Sequence, residues 1–560
     1  MRSLVIALLF ATSPVPALAA PASVPDDAAV ARHSRTLLHQ AVPDPAHSPG
    51  LAVLVARGDR VVYRDARGMA NIELGVPLSA DHAFRIGSVT KQFAAAGVLK
   101  LAAEGRLGLD DPLERFVPGY PDGGRITLRM LLNHTSGVRS YTDIPGLMDG
   151  QIQRDVTTAQ LIASFRDQPP DFAPGEGWRY SNSGYVLLGA VIEAASGMPW
   201  HAYLHQALFQ PLQLQRTGHA NQADALVAGH VTGYTPESGT WTHARYMSMT
   251  QPHAAGGLAS TLDDLLAWNR ALHGGGAVDA GLYRQMVTPA PGAREPYGFG
   301  ILRQPFRGTE ILQHGGGIFG FLAHLAYVPS ADLSVIVLYN ADGTLPPMPG
   351  TAELAHRIAA HALGKPYAEK VAVPLEPAQL AAYEGVYRTD PSNARQVRVD
   401  QGHLTLRQAG GPVQRLLPVG QDQFLFETGL SRLDFERDAA GAVAGLRLYP
   451  DDEGPGEHMG RTDEPLPAAR VTVELPAAAL ERVLGRYALD GLVLTVAVAD
   501  GKPTAQLTGY PPLDIHAESP DRFFLTAIDA TLEFTPGPGP AGAVTVAEGG
   551  NVTRFTRLAE

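Results

Sequence analysis

One segment near residue 90 constrains the fold more than any other part of the chain. Between positions 89 and 103 every residue is apolar or glycine, with four exceptions: Thr90, Lys91, Gln92 and Lys100. A helix that is apolar on nearly all sides lies inside a domain, so the sequence predicts a buried helix that carries a lysine. The chain has 44 basic residues, of which only five are lysines. Because arginine keeps its proton in a protein whereas a buried ammonium can lose it, Lys91 is a candidate base.

A serine lies within reach of this lysine. Ser88 precedes Lys91 by three residues, which places the two side chains about 60° apart on neighbouring helical turns. A lysine pKa must fall by about 3 units for the amine to act as a base at neutral pH, and burial acts in that direction. A serine beside such an amine is an activated nucleophile. The alternative is a chance pairing, since the four-residue pattern alone is common.

Length and composition exclude several classes of protein. A chain of 560 residues predicts about two to four domains. The net charge of −12 argues against nucleic-acid binding, and the lack of cysteine excludes thiol catalysis and cysteine-based zinc sites. Residues 1–19 have the charge, apolar run and small-residue site of a cleaved signal peptide, which predicts a secreted or periplasmic protein. No later apolar run approaches the length of about 20 residues that spans a membrane.

The sequence after the predicted signal peptide predicts an α+β domain. A predicted hairpin (51–65) comes first, and strand patterns return at 297–303, 309–315, 322–329 and 333–340. The region between them is helical and rich in loops. Strands at both ends of a helical middle predict one antiparallel sheet that is closed by the two ends of the domain.

Beyond about residue 378 short strands and turns predominate. The stretch LAAYEGVY (380–387) resembles LERVLGRY (480–487), and DQFLFE (422–427) resembles DRFFLT (521–526). We interpret this as an internal repeat of about 100 residues that forms two small antiparallel β-barrels. The alternative is one large β domain.

Two further motifs contain candidate site residues. Tyr180-Ser-Asn182 lies in a loop before a predicted helix, where its alternative role is that of a helix cap beside a packed tyrosine. His314-Gly-Gly316 lies between two strand patterns. A competing His-Gly-Gly-Gly begins at His273, where glycine is the ordinary end of a helix, so we assign a structural role to His273 and the site role to His314.

Together, Ser88-x-x-Lys91, Tyr180-x-Asn182 and His314-x-Gly316 resemble the signature of the penicillin-recognising serine hydrolases. That family includes class C β-lactamases, DD-peptidases, D-aminopeptidases and related esterases. The resemblance implies a β-lactamase-like catalytic domain, an antiparallel sheet with helices, followed here by two β-barrels as in the D-aminopeptidase layout. The predicted boundaries are 20–365 for the catalytic domain and 378–465 and 478–560 for the barrels.

The resemblance also implies roles for these residues. Ser88 would attack the carbonyl, Lys91 and Tyr180 would transfer protons, and the backbone N–H groups of Ser88 and Gly317 would form the oxyanion hole. Which of Lys91 and Tyr180 is the general base stays open. The implied substrate-binding residues are Asn182, His314 and Gly316. The resemblance implies no cofactor and no metal.

The expected function is an exported serine hydrolase that cleaves an amide or ester bond through an acyl-enzyme. D-aminopeptidase, amidase or esterase activity is preferred, because a neutral His314 offers little charge to a substrate carboxylate. The alternatives are a class C β-lactamase or DD-carboxypeptidase, and a non-catalytic muropeptide-binding or sensor protein. The expected partner is a small molecule or a peptide that contains D-amino acids, and the sequence does not predict the oligomeric state.

Overall fold

The computed structural model describes residues 24–558 apart from short gaps. The gaps are 145, 151, 222–226, 238, 292–294, 346–347, 391–392, 409–410, 468–469, 471, 490–491, 500, 508–511, 526–527, 529 and 549–550. The predicted signal peptide, residues 1–19, lies outside the described residues. Within them, no helix is both long enough and apolar enough to cross a membrane.

The catalytic domain is built on one antiparallel sheet, as predicted. Its strands are β1 Leu51–Arg57, β2 Arg60–Arg67, β10 Leu302–Phe306, β11 Thr309–Ile318, β12 Phe321–Val328 and β13 Leu333–Tyr339. They lie in the order β10-β11-β12-β13-β1-β2, so the first strand of the chain pairs with the last strand of the domain, and β2 pairs with β1 at the edge. Small sheets surround it, formed by β3 Met69–Asn71, β4 Val76–Pro77, β5 Phe84–Arg85, β6 Gly218–His219, β7 Tyr234–Glu237, β8 Thr240–His243 and β9 Leu258–Ser260.

The strand predicted at 297–303 is wrong over residues 297–301. The strand β10 begins only at Leu302. Gly300 has a φ of 71°, and a Cβ atom there would lie 2.8 Å from the Lys91 carbonyl carbon. The chain around Gly300 therefore packs as a loop directly on the backbone of the helix that carries Lys91.

Helices cover both faces of the sheet and form two cores. One core contains the buried helix and the side chains of the helical middle, and the other lies on the opposite face between the sheet and the two terminal helices of the domain. The bounds are α1 Asp27–Ala41, α2 Thr90–Ala103, α3 Leu128–Leu132, α4 Leu147–Gly150, α5 Thr158–Ala163, α6 Asn182–Ser196, α7 Trp200–Leu204, α8 His253–Gly256, α9 Leu262–His273, α10 Ala280–Met286 and α11 Thr351–Ala362.

The C-terminal region folds into two closed antiparallel barrels, which confirms the prediction. Each follows a short helix, α12 Pro377–Ala381 or α13 Ala477–Val483. Among the described residues, the first barrel has the strands β14 Gly385–Arg388, β15 Ala394–Asp400, β16 His403–Gln408, β17 Val413–Gly420, β18 Gln423–Phe426, β19 Arg432–Arg437, β20 Val443–Tyr449 and β21 Glu457–Arg461. The second has β22 Gly485–Leu489, β23 Leu492–Ala499, β24 Lys502–Leu507, β25 Leu513–Ser519, β26 Arg522–Leu525, β27 Ala530–Phe534, β28 Ala543–Glu548 and β29 Asn551–Arg557, likewise within the described part.

The two barrels repeat one hydrogen bond in detail. The Tyr387 hydroxyl donates to the Tyr383 carbonyl (2.7 Å), and the Tyr487 hydroxyl donates to the Val483 carbonyl (2.8 Å). Both tyrosines are fully buried. Each bond ties the first strand of a barrel to the segment at or just after the end of the preceding helix, Tyr383 in the first barrel and Val483 in the second.

Replacement of either tyrosine by phenylalanine tests this repeat. Tyr387→Phe and Tyr487→Phe should each lower the free energy of unfolding by about 1 to 2 kcal/mol, because a buried carbonyl loses its donor. Denaturant unfolding measures the loss. Tyr449→Phe is the control, because the Tyr449 hydroxyl makes no hydrogen bond in the described structure. Equal stability of all three variants would show that the two bonds contribute nothing.

Candidate active site

The predicted nucleophile lies at the start of the buried helix. Ser88 occupies a 3-10 turn, Gly87–Val89, that leads directly into α2. Gly87 has a φ of 48°, and a Cβ atom there would lie 2.9 Å from the Gly317 nitrogen on β11. Glycine at position 87 therefore allows the Ser88 turn to lie against the sheet.

Lys91 is held by three neighbours in the interior. Its side chain is 0% exposed, and the helix around it packs against α6 and α8. The Lys91 Nζ lies 2.8 Å from Asn182 Oδ1, 2.8 Å from the Ala255 carbonyl and 3.1 Å from Ser88 Oγ. The structure thus brings together three of the residues that the sequence singled out.

The surroundings of Lys91 favour its neutral form. Burial lowers the pKa of the Lys91 amine well below its ordinary value. Within the described residues no carboxylate forms an ion pair with it; the polar neighbours are an amide, a carbonyl and a hydroxyl. The faces of Tyr180 and Tyr185 lie 4.8 and 5.5 Å from the nitrogen, measured to the ring centroids.

Asn182 is oriented by a second loop. Its Nδ2 donates to Thr142 Oγ1 (3.1 Å), and its backbone N–H donates to Ser140 Oγ (3.1 Å). Because the amide nitrogen is engaged by Thr142, the oxygen Oδ1 points to Lys91. Asn182 is the first residue of α6, and the preceding Ser181 is the N-cap of this helix.

The ring of Tyr180 lies over the Lys91 amine, whose nitrogen is 4.8 Å from the ring centroid. Burial raises the pKa of this phenol, and the nearby Ser88 side chain partly opposes that rise. The ring packs against His134, with centroids 4.4 Å apart. His134 in turn accepts a hydrogen bond at Nδ1 from the Ser181 N–H (3.1 Å) and has a φ of 64°. His134 therefore fixes the loop that carries Tyr180, a contact that the sequence analysis did not identify.

His314 is placed close to the site, but both ring nitrogens already have partners. Nδ1 lies 2.6 Å from the Gly315 carbonyl, and Nε2 lies 2.8 Å from the Tyr297 hydroxyl. Since a carbonyl can only accept, Nδ1 carries the proton and Nε2 accepts from Tyr297. Burial lowers the pKa of His314 to about 4, so the ring is neutral at pH 7.

The glycines after His314 allow β11 to approach Ser88. A Cβ atom at Gly316 would lie 2.0 Å from the Ile86 carbonyl and 3.3 Å from the Ser88 nitrogen. The strand β10 pairs with β11 only as far as Gln313, so the half of β11 that contains these glycines extends past its neighbour. Gly317 is exposed there.

A cavity of about 220 Å³ opens above Ser88. Its described lining is largely apolar and contains no charged side chain; it includes Tyr141, Met148, Asn182, Met247, Gly317 and Phe319. In the described part of the chain, no cluster of His, Asp and Glu has the arrangement of a metal site. The site thus combines a hydroxyl, a buried amine with a lowered pKa, a phenol and a strand edge beside a small apolar cavity.

The sequence also matches a model of a protein family. The model for the Beta-lactamase family matches residues 37–360, more than half of the chain. The chain belongs to the Beta-lactamase family. The resemblance predicted from the three motifs is confirmed.

Several named proteins are similar to this chain in sequence or in structure. Penicillin-binding protein 4* of Bacillus subtilis (strain 168) is 27% identical over 439 residues, which cover 73% of this chain and 94% of that protein. D-aminopeptidase of Brucella ovis is 27% identical over 460 residues, 81% of each chain. The structure of D-stereospecific amidohydrolase from Streptomyces sp. has a TM-score of 0.51 and 30% identity, and the match covers 60% of this chain and 98% of that one. The protein is therefore a serine hydrolase of the Beta-lactamase family.

The state of Lys91 can be tested through stability. Between its lowered folded pKa and its ordinary value near 10.5, the unfolded state binds a proton that the folded state does not. Raising the pH through this window should therefore stabilise the wild type relative to Lys91→Met, by up to about 1.4 kcal/mol per pH unit. Denaturant unfolding of both proteins from pH 7 to 10 measures the difference. Parallel curves would mean that Lys91 is charged in the folded protein.

Proposed function

We propose that the protein is an exported hydrolase that cleaves an amide or ester bond of a D-aminoacyl substrate through an acyl-enzyme on Ser88. The observation that carries this proposal is the hydrogen bonding of Lys91. A neutral amine has two N–H groups and one lone pair. Asn182 Oδ1 and the Ala255 carbonyl can only accept, so they take the two N–H groups, and the lone pair is left for the Ser88 hydroxyl at 3.1 Å.

Acylation follows from this arrangement. As the Ser88 Oγ attacks the substrate carbonyl carbon, its proton passes to the Lys91 amine. The carbonyl oxygen becomes an oxyanion, which the backbone N–H groups of Ser88 and Gly317 would stabilise. Tyr180, whose raised pKa keeps its hydroxyl protonated, is suited to relay the proton from Lys91 to the leaving nitrogen or oxygen. This assigns the general base to Lys91.

Deacylation uses the same groups in reverse order. A water molecule attacks the acyl carbon while Lys91, again neutral, accepts its proton. The Ser88 oxygen leaves and regains a proton from Lys91. The acid product then departs, and the site returns to its starting state.

The charge distribution favours amides and esters over β-lactams. A β-lactam carries a carboxylate next to its ring, and the described lining of the Ser88 cavity offers no cation to bind it. His314 is neutral, and both its nitrogens are engaged. His314 therefore acts in our proposal by holding Tyr297 and β11 in place. The cavity of about 220 Å³ fits a small apolar acyl group.

A turnover screen tests the function. D-aminoacyl amides and short-chain esters should be hydrolysed, with little turnover of a chromogenic cephalosporin, because the cavity lacks a cation for its carboxylate. Ser88→Ala should abolish all turnover, whereas Ser330→Ala, which changes an exposed serine, should not. Efficient cephalosporin hydrolysis with amides and esters untouched would contradict the proposal. Covalent labelling of Ser88 without turnover of any substrate would favour a sensor.

Lys91→Arg tests the assignment of the base. The variant keeps a cation but cannot accept a proton, so turnover should fall by roughly 10²- to 10⁴-fold. Circular dichroism checks that the variant is folded. Lys100→Arg, at the other end of the same helix, is the matched control and should retain activity. A folded Lys91→Arg enzyme with wild-type turnover would exclude Lys91 as the base.

A further inference from the structure

A second cavity lies beside the Ser88 cavity and differs from it in charge. Its volume is about 610 Å³, and Phe319 lines both cavities. Among the described residues that line it are Arg85 and Arg245 but no carboxylate. The remaining lining includes the aromatic side chains of Tyr246 and Phe321.

Arg85 is a buried cation in this lining that has no ion-pair partner among the residues described. The residue is only 6% exposed, and its Nε is buried with no hydrogen-bond partner. In the described part of the chain it forms no ion pair; its contact is with the ring of Phe321, whose centroid lies 5.7 Å from Cζ. Arginine stays charged when buried, so an uncompensated guanidinium at this position costs stability. A bound anion would offset that cost.

Among the described residues near the cavity, the other titratable groups do not compensate this charge. Glu73 is not part of the described lining; its carboxylate binds His243 Nε2 (2.8 Å) and the Tyr234 hydroxyl (2.7 Å). His230 lines the cavity and is neutral at pH 7, since burial and the charge of Arg85 lower its pKa to about 4.

The cavity is within reach of a short substrate. Arg85 precedes Ser88 by three residues, so their Cα atoms are at most about 11 Å apart. A peptide bound at Ser88 would cover that distance with about three or four residues. The planar guanidinium matches the geometry of a carboxylate, which it can bind through two N–H groups.

We propose that the Arg85 cavity is a subsite for a carboxylate of the substrate, a short peptide whose first, D-configured residue is attacked by Ser88. The inference deepens the proposed function and rests on it. It places the recognised carboxylate away from the cleaved bond, whereas the Ser88 cavity itself takes an uncharged group.

Binding to the Ser88→Ala protein tests the subsite without turnover. Calorimetry would compare peptides of two to four residues that begin with D-alanine and end in a free carboxylate or a carboxamide. A further pair, both amidated, would end in Glu or Gln and so distinguish a side-chain carboxylate from a terminal one. For at least one peptide length, or for the Glu/Gln pair, we expect the peptide with the carboxylate to bind at least about tenfold more tightly than its uncharged counterpart.

In the Ser88→Ala protein, the additional substitution Arg85→Gln should reduce the preference for the carboxylate peptide to less than twofold. Arg85→Lys should retain part of that preference. Arg106→Gln, an equal change in charge just past the C-terminal end of α2, should leave the preference intact. A merely structural Arg85 would instead weaken both peptides of a pair equally, which would overturn the proposal, as would the absence of any carboxylate preference. Failure of the proposed function is distinct, since it would appear as an unlabelled, inactive wild type.

Discussion

The burial of Lys91, which has no counter-ion among the described residues, is the constraint on which the catalytic domain depends. The nearly all-apolar helix α2 removes the amine from water, which is costly unless the amine is neutral and hydrogen-bonded. Asn182 at the start of α6 and the Ala255 carbonyl on α8 supply those bonds. The same contacts that make this lysine tolerable hold the three helices together. Stability and basicity at this position therefore have one origin, and a change that improves one is expected to alter the other.

The part of the site that is local in sequence could be predicted. Ser88 and Lys91 are three residues apart at the start of one helix, so their contact follows from helical geometry. The Ala255 carbonyl could not be found this way, because a backbone acceptor carries no side-chain signature. The contact of His134 with Tyr180 joins segments far apart in the chain, and the sequence offers only an unassigned histidine there. Both contacts depend on how the helices pack.

The fold was predictable for similar reasons. Alternating strands, short turns and a repeated segment indicate the two barrels, and the tyrosines at 387 and 487 give the repeat a shared hydrogen bond. The strand prediction at 297–303 failed because Gly300 packs on the backbone of α2, a tertiary contact that overrides the local apolar pattern. The same loop places Tyr297 next to His314, where the Tyr297 hydroxyl donates a hydrogen bond to the ring Nε2. The motif at His314 was therefore recognisable, whereas the bonding of its imidazole was not.

The central claim is that Ser88 forms the covalent intermediate while Lys91 takes its proton. Mass spectrometry of the protein during turnover of a slow D-aminoacyl ester tests it most directly. We predict an acyl adduct on the peptide that contains Ser88, whose formation rate rises with pH around the lowered pKa of Lys91 and then levels off once the amine is neutral. An adduct on any other residue, or steady turnover with no adduct under quenched conditions, would contradict the account.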